Sequence, residues 1–184
     1  MGIQLSRLAA PAIIALAASA VLSSSAQARA GDPGASASVL INASPEVVWK
    51  AVHEERLHDP DLAYAKILGK RGNSSTMEEK FVSVPILGEV IAVLQENETP
   101  LKRIDYSLIR SDKFKRMEGS WSLTPVCGGK QTLLQLSSFL DVGVPFSQPF
   151  VRNATSRKID RRLSNVKQVA EREQASLAGR QQGI

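Results

Sequence analysis

The sequence is poor in the residues that most often carry enzyme chemistry. It has one cysteine in 184 residues, Cys127, so no intramolecular disulfide can form and no paired-cysteine redox or zinc motif exists. Two histidines occur, His53 and His58. Metal-binding histidines on a helix want spacings of three or four, which these lack, so they read as solvated residues near a helix end. No glycine-rich phosphate loop and no G-x-S-x-G elbow appears. Aromatic residues make up 5% and do not interleave with basic ones, which argues against nucleic acid despite a net charge of +5. No apolar run reaches the roughly 20 residues a membrane-spanning helix needs.

What is present begins with a processing signal. Arg7 precedes an apolar run from Leu8 to Leu22, followed by Ala26-Gln27-Ala28 and Ala28-Arg29-Ala30, two overlapping small-x-small cleavage sites. This pattern predicts a signal peptide over residues 1–28 and a periplasmic or secreted protein, a retained anchor being the alternative. The remainder is one domain's length, expected over residues 35–175, with a flexible tail at 176–184. Its basic excess is spread over a helix face and a loop around Lys113. A solvated face is the ordinary reading, and weak contact with an anionic membrane surface is the other. Cys127, in the turn Val126–Gly129, reads as a bystander thiol.

The mature chain opens with a strand, Ala35–Asn42. Ser44 then offers a helix N-cap, Pro45 takes the first helical position and Glu46 meets the positive end of the helix dipole. Val47, Val48, Ala51 and Val52 form the buried stripe, with Trp49 at its edge. The polar stretch His53–Asp61 predicts a break and a second short helix. From Leu62 the apolar period becomes two, giving six strands: 62–70, 76–85, 89–96, 101–109, 115–124 and 131–141. Turns at this spacing predict an antiparallel meander with one covered and one wet face. The longest element follows, over 147–175, with Ser147 as N-cap and Pro149 in its first turn. Phe150, Val151, Ala154, Ile159, Leu163, Val166, Val169 and Ala170 form its apolar stripe, and Arg152, Arg157, Lys158, Arg161, Arg162, Lys167 and Arg172 lie on its polar face. A helix this long needs a large apolar surface, which only the sheet supplies.

Several of these residues resemble a known superfamily. Ser44-Pro45-Glu46-Val47-Val48-Trp49 after the first strand is similar to the opening of the START/Bet v 1-like (SRPBCC) superfamily. Phe114-Lys115-Arg116-Met117-Glu118-Gly119-Ser120-Trp121-Ser122-Leu123-Thr124-Pro125 resembles a late strand of its polyketide cyclase and coenzyme Q-binding branch, and Val144-Pro145 before the last helix also fits. The resemblance covers about residues 35–171. It implies an α+β helix-grip fold, in which a curved antiparallel sheet of about seven strands wraps a long C-terminal helix, with two short helices after the first strand. It further implies a hydrophobic tunnel, used elsewhere in the superfamily to bind lipids, sterols or quinones or to cyclise polyketides.

Strand parity supplies the candidate ligand contacts: Phe81, Tyr106, Leu108, Met117, Trp121, Leu136 and Leu140, closed by Phe146, Phe150 and Ala154. The same parity puts Arg103, Asp105, Arg116 and Glu118 on the wet face as ordinary cross-strand charges. Glu79 shares the parity of Met77 and Phe81 and is the best candidate for a buried acid, against the plainer reading of a strand end near solvent. The sequence therefore places at most one ionisable group in the cavity. It predicts an exported, non-catalytic carrier for a neutral hydrophobic molecule (lipid, isoprenoid or quinone-like), with no metal, cofactor or catalytic residue. A cyclase- or hydratase-type enzyme using the same cavity is the alternative, and convergence of several ionisable groups inside it would separate the two.

Overall fold

The structure is a computed structural model and describes residues 34–182. The proposed signal peptide lies outside the described residues. The compact unit Asp32–Ile184 contains every element named below.

β1 (Ala35–Ile41) leads into α1 (Pro45–Leu57), followed by β2 (Leu62–Arg71), β3 (Ser74–Val84), β4 (Gly88–Thr99), β5 (Arg103–Ser111), β6 (Arg116–Val126) and β7 (Gln131–Asp141). The chain closes with α2 (Gln148–Gln182). The strands form one seven-stranded sheet in the order β1-β7-β6-β5-β4-β3-β2. Every pairing is antiparallel, so consecutive strands need only short turns, and the one long connection brings β1 beside β7. Register shifts between Phe81 and Val84, and between Val93 and Leu94, interrupt the ladders. Such bulges bend a strand and increase its twist, which helps the sheet curve. Val84 thereby joins Phe81 in the core although the two residues differ in parity.

Two differences from the sequence expectation concern helices. A single helix follows β1; its backbone stays helical through the polar residues His53–Arg56, and His58–Asp61 is a turn held by the Leu62 N–H donating to the Asp59 carbonyl at 3.0 Å. At the other end, α2 continues past Ala178 to Gln182. Ser147 precedes α2 and its carbonyl accepts from Val151 N–H, but its hydroxyl donates back to the Val144 carbonyl at 2.7 Å and does not cap.

α2 packs on β1, β7 and α1. Its buried stripe is Val151, Ile159, Leu163, Val166 and Ala170. One core cluster joins α1, α2 and the β1-β7-β6-β5 side through Val48, Val52, Ile104, Trp121, Leu134 and Leu163. A second gathers Phe81, Val90, Leu94, Phe114, Val142 and Val151. The space between these clusters is not filled.

Candidate functional site: a cavity between the sheet and the last helix

A cavity of about 460 Å³ lies where the two clusters fail to meet. That is within the range of pockets that enclose small molecules, roughly 300–1,000 Å³. Its apolar wall comes from β3, β4, β6 and β7 and from α2, including Phe81, Leu94, Met117, Trp121, Leu136 and Ile159. Phe81 and Phe114 meet edge-on at 5.6 Å, fixing one end of that wall.

The other wall is charged. Val48, Val52 and Arg56 follow one another at helical spacing, so the last turn of α1 turns Arg56 inward beneath its own buried stripe. Arg56 pairs with Glu96, the next inward residue of β4 after Val90, Ala92 and Leu94. From α2, Arg162 reaches Glu55 through three hydrogen bonds of 2.7–2.9 Å, a bidentate pairing of planar groups. Its guanidinium also lies 3.6 Å from Asp59 and stacks over Trp121. Lys158 sits 3.1 Å from Asp61 and 3.5 Å from Asp59, and Arg161 sits 2.7 Å from Asp61. Burial draws Arg56 below its ordinary pKa. Burial works the same way on Arg162, but the Glu55 carboxylate outweighs it and holds Arg162 above its ordinary value. For Asp61 too, burial is overcome, by Lys158 and Arg161, and its pKa is lowered.

Glu79 stands apart. It projects from the middle of β3 into the cavity, yet among the described residues it forms no hydrogen bond and no ion pair. Burial pushes its carboxyl above the usual carboxylate range, because the nearby charges of Arg56, Arg162 and Lys158 act against that push without cancelling it. Tyr106, on β5, faces the same space and is likewise pushed up by burial. Its ring has room because its cross-strand partner is Gly119: a Cβ there would collide with the Tyr106 hydroxyl and the Ser137 carbonyl.

Seven of the sequence candidates line the cavity: Phe81, Tyr106, Met117, Trp121, Leu136, Leu140 and Ala154. Three do not. Leu108 packs at the edge of the second core cluster, Phe150 is 54% exposed and Phe146 is fully exposed. The β7–α2 loop carries Phe146 outward on a backbone φ of 60°. The expectation of at most one ionisable group is overturned, since Arg56, Asp59, Glu79, Glu96, Lys158 and Arg162 all border the cavity. Arg162, placed by sequence on the solvated face of α2, is drawn inward by Glu55 and Asp59. Arg103 with Asp105 and Arg116 with Glu118 pair within their own strands on the outer face. His53 bridges the Trp49 carbonyl and Glu98, each at 3.0 Å, and His58 meets the Glu54 carbonyl. No group of His, Cys, Asp and Glu suited to a metal occurs among the described residues.

The profile of a family described as polyketide cyclase / dehydrase and lipid transport matches residues 33–171. The chain belongs to that family. Solved structures repeat this fold at low identity. An aromatase/cyclase from Streptomyces sp. R1128 superposes with a TM-score of 0.57 at 15% identity, covering 75% of this chain and 93% of the other. A START superfamily protein from Mycobacterium smegmatis gives 0.57 at 19% identity, covering 78% and 97%. A protein from Thermus thermophilus gives 0.58 at 17% identity, covering 79% and 99%. No curated protein matches. The family description names both chemistry and transport, so the cavity's own residues must decide between them.

Proposed function

We propose that this domain is an exported carrier for a mostly apolar small molecule that bears one neutral hydrogen-bonding group. The observation that carries the reading is Glu79, which is unpaired among the described residues in a cavity where Arg56, Lys158 and Arg162 already have partners. The convergence of ionisable groups that would favour an enzyme is here mostly ion pairing. Burial raises the Glu79 pKa and so favours its protonated form, and a protonated carboxyl donates one hydrogen bond, which suits a carbonyl or hydroxyl on the ligand. An anionic ligand finds no free cation at that depth, and burying its charge unpaired costs several kcal/mol. The apolar wall favours an isoprenoid, quinone or similar lipid, each buried methylene contributing about 0.8 kcal/mol. Export is supported by the apolar run Leu8–Leu22 and the Ala-x-Ala sites at residues 26–30. N-terminal sequencing of secreted protein should start after Ala28 or Ala30; a start at Met1 removes that part of the reading.

The test is a titration of delipidated protein, followed by fluorescence of Trp121, with a short-chain quinone and with a fatty-acid anion of similar length. The quinone is expected to bind tighter, Glu79→Gln to preserve its affinity and Glu79→Leu to weaken it. Tighter binding of the anion, or indifference to Glu79→Leu, overturns the reading.

The same acid favours a second reading. Glu79 and Tyr106 border the same cavity, and loss of water from a β-hydroxy ketone is a reaction such a carboxyl could assist, giving its proton to the departing hydroxyl and taking the α-proton in return. Incubation with such a ketone and detection of the enone by mass spectrometry, abolished in Glu79→Gln, would establish an enzyme.

A further inference from the structure

Among the residues lining the cavity, Ser83 and Pro85 at the end of β3 and Arg157 and Arg161 on α2 are exposed, which places its opening between these two elements. The loops at this end and the first turn of α2 hold apolar side chains in water. Phe146 is 100% exposed, Ile86 60%, Phe150 54% and Val144 36%. Single exposed apolar residues are ordinary, but several around one opening mark a contact surface. Ile86 and Phe146 also sit on left-handed backbone, at φ 75° and 60°. A β-branched residue is rarely found there, so the fold carries local strain at a tip whose side chain buries little.

The three loops concerned form one end of the molecule. Lys113, between β5 and β6, donates to the carbonyls of Leu87 and Glu89 beside the β3–β4 turn, at 2.9 and 2.6 Å. Lys115 lies against Gly143 in the β7–α2 loop. The charge at this end is positive. Glu89 is neutralised by Lys80. Asp112 and Asp141 remain, each bonded to a backbone N–H, against Lys113, Lys115, Arg152 and Arg157. Farther along α2, by contrast, Lys158, Arg161, Arg162 and Lys167 all face acids.

We infer that this end docks on a membrane surface rich in anionic lipid, with Ile86, Phe146 and Phe150 entering the interface and the cations meeting headgroup phosphates. Shallow apolar insertion combined with attraction to anionic lipid is the pairing that holds peripheral proteins on a bilayer. It also makes the cavity's apolar wall continuous with the acyl layer. The stretch of the basic helix face from Lys158 to Lys167 is thereby replaced as the contact surface, because its charges are engaged within the protein. The inference holds whatever ligand fills the cavity.

The experiment is flotation of residues 32–184, which include the whole sheet, both helices and both core clusters, with phosphatidylcholine vesicles with and without phosphatidylglycerol. The wild type is expected to float with the anionic vesicles and to detach as salt rises. Phe146→Ser/Phe150→Ser should bind at least roughly tenfold more weakly, and Lys115→Gln/Arg152→Gln roughly thirtyfold. If the double serine variant loses its melting transition, Phe146→Glu, at the fully exposed position, carries the same expectation. An empty vesicle fraction, as a protein partner would give, overturns the inference. So does wild-type flotation by the Phe146 variants. Quinone titration of the same samples separates the two proposals, since lost flotation with intact quinone binding overturns the docking alone.

Discussion

The Arg162 guanidinium lies over the Trp121 ring, 5.0 Å from its centroid, while gripping Glu55 in a bidentate pair. One side chain of α2 is thus held by the sheet through a π-face and by α1 through a carboxylate. Only a planar guanidinium serves both at once. Arg162→Ala should destabilise the protein by about 3–5 kcal/mol, because it strands the Glu55 carboxylate, whose side chain is nearly buried. Arg162→Lys should recover only part of this. Urea unfolding followed by tryptophan emission measures both.

Glu79 makes stability depend on pH in a direction opposite to most carboxylates. Its folded pKa is raised, so the stability it contributes is complete below the unfolded value, about 4.3. That contribution is lost as pH rises through the folded value. Glu79→Gln should therefore match the wild type near pH 4 and exceed it near pH 8 in denaturant titrations. A constant difference between the two proteins across that range would show that folding leaves the Glu79 pKa unshifted.

Leu163 and Arg161 are two apart on α2 and have opposite fates, one 3% exposed and the other paired with Asp61 at the surface. Leu163→Ala should cost about 2–5 kcal/mol through lost burial and a residual cavity. Arg161→Ala should stay within about 1 kcal/mol, the range of exposed ion pairs. Equal losses would contradict the helix phase.

Gly119→Ala adds one methyl group where Tyr106 and the Ser137 carbonyl already meet. Backbone cannot yield easily, so Tyr106 must swing into the cavity. The expected cost is about 1–3 kcal/mol, with weaker quinone binding. A Gly119→Ala/Tyr106→Ala double variant should regain part of the stability, which a thermal melt would detect.

The sheet and α2 were legible because their periods are clean and turn residues punctuate them. The charged wall was not, though its signals exist. Glu96 reads as the last residue of a strand before a turn, but β4 continues to Thr99, with Asn97 paired to Ser74, which makes Glu96 an interior residue of inward parity. Arg56 lies one helical step beyond Val52 and disappears into a stretch that composition marks as polar. Arg162 shares the face of Ile159 and Val166, at spacings of three and four. The rule that charges face water fails for all three because each finds an opposite charge indoors. Phe146 and Phe150 invert that rule, since nothing in an apolar residue's identity says which loop will hold it outside.

The pairing of β1 with β7 also governs the order in which the domain can form. Val39 meets Leu134 and Ile41 meets Thr132, so the first strand finds its partner only after almost the whole chain exists. Strands β2 to β7 need only neighbouring segments and can zip by short turns, whereas the Trp121 core waits for β1, α1 and α2 together. Loop closure over that separation makes the last step slow, and until it is taken the inner face of the meander stays open to water. A chain interrupted before α2 would display that face permanently, and aggregation is its natural end.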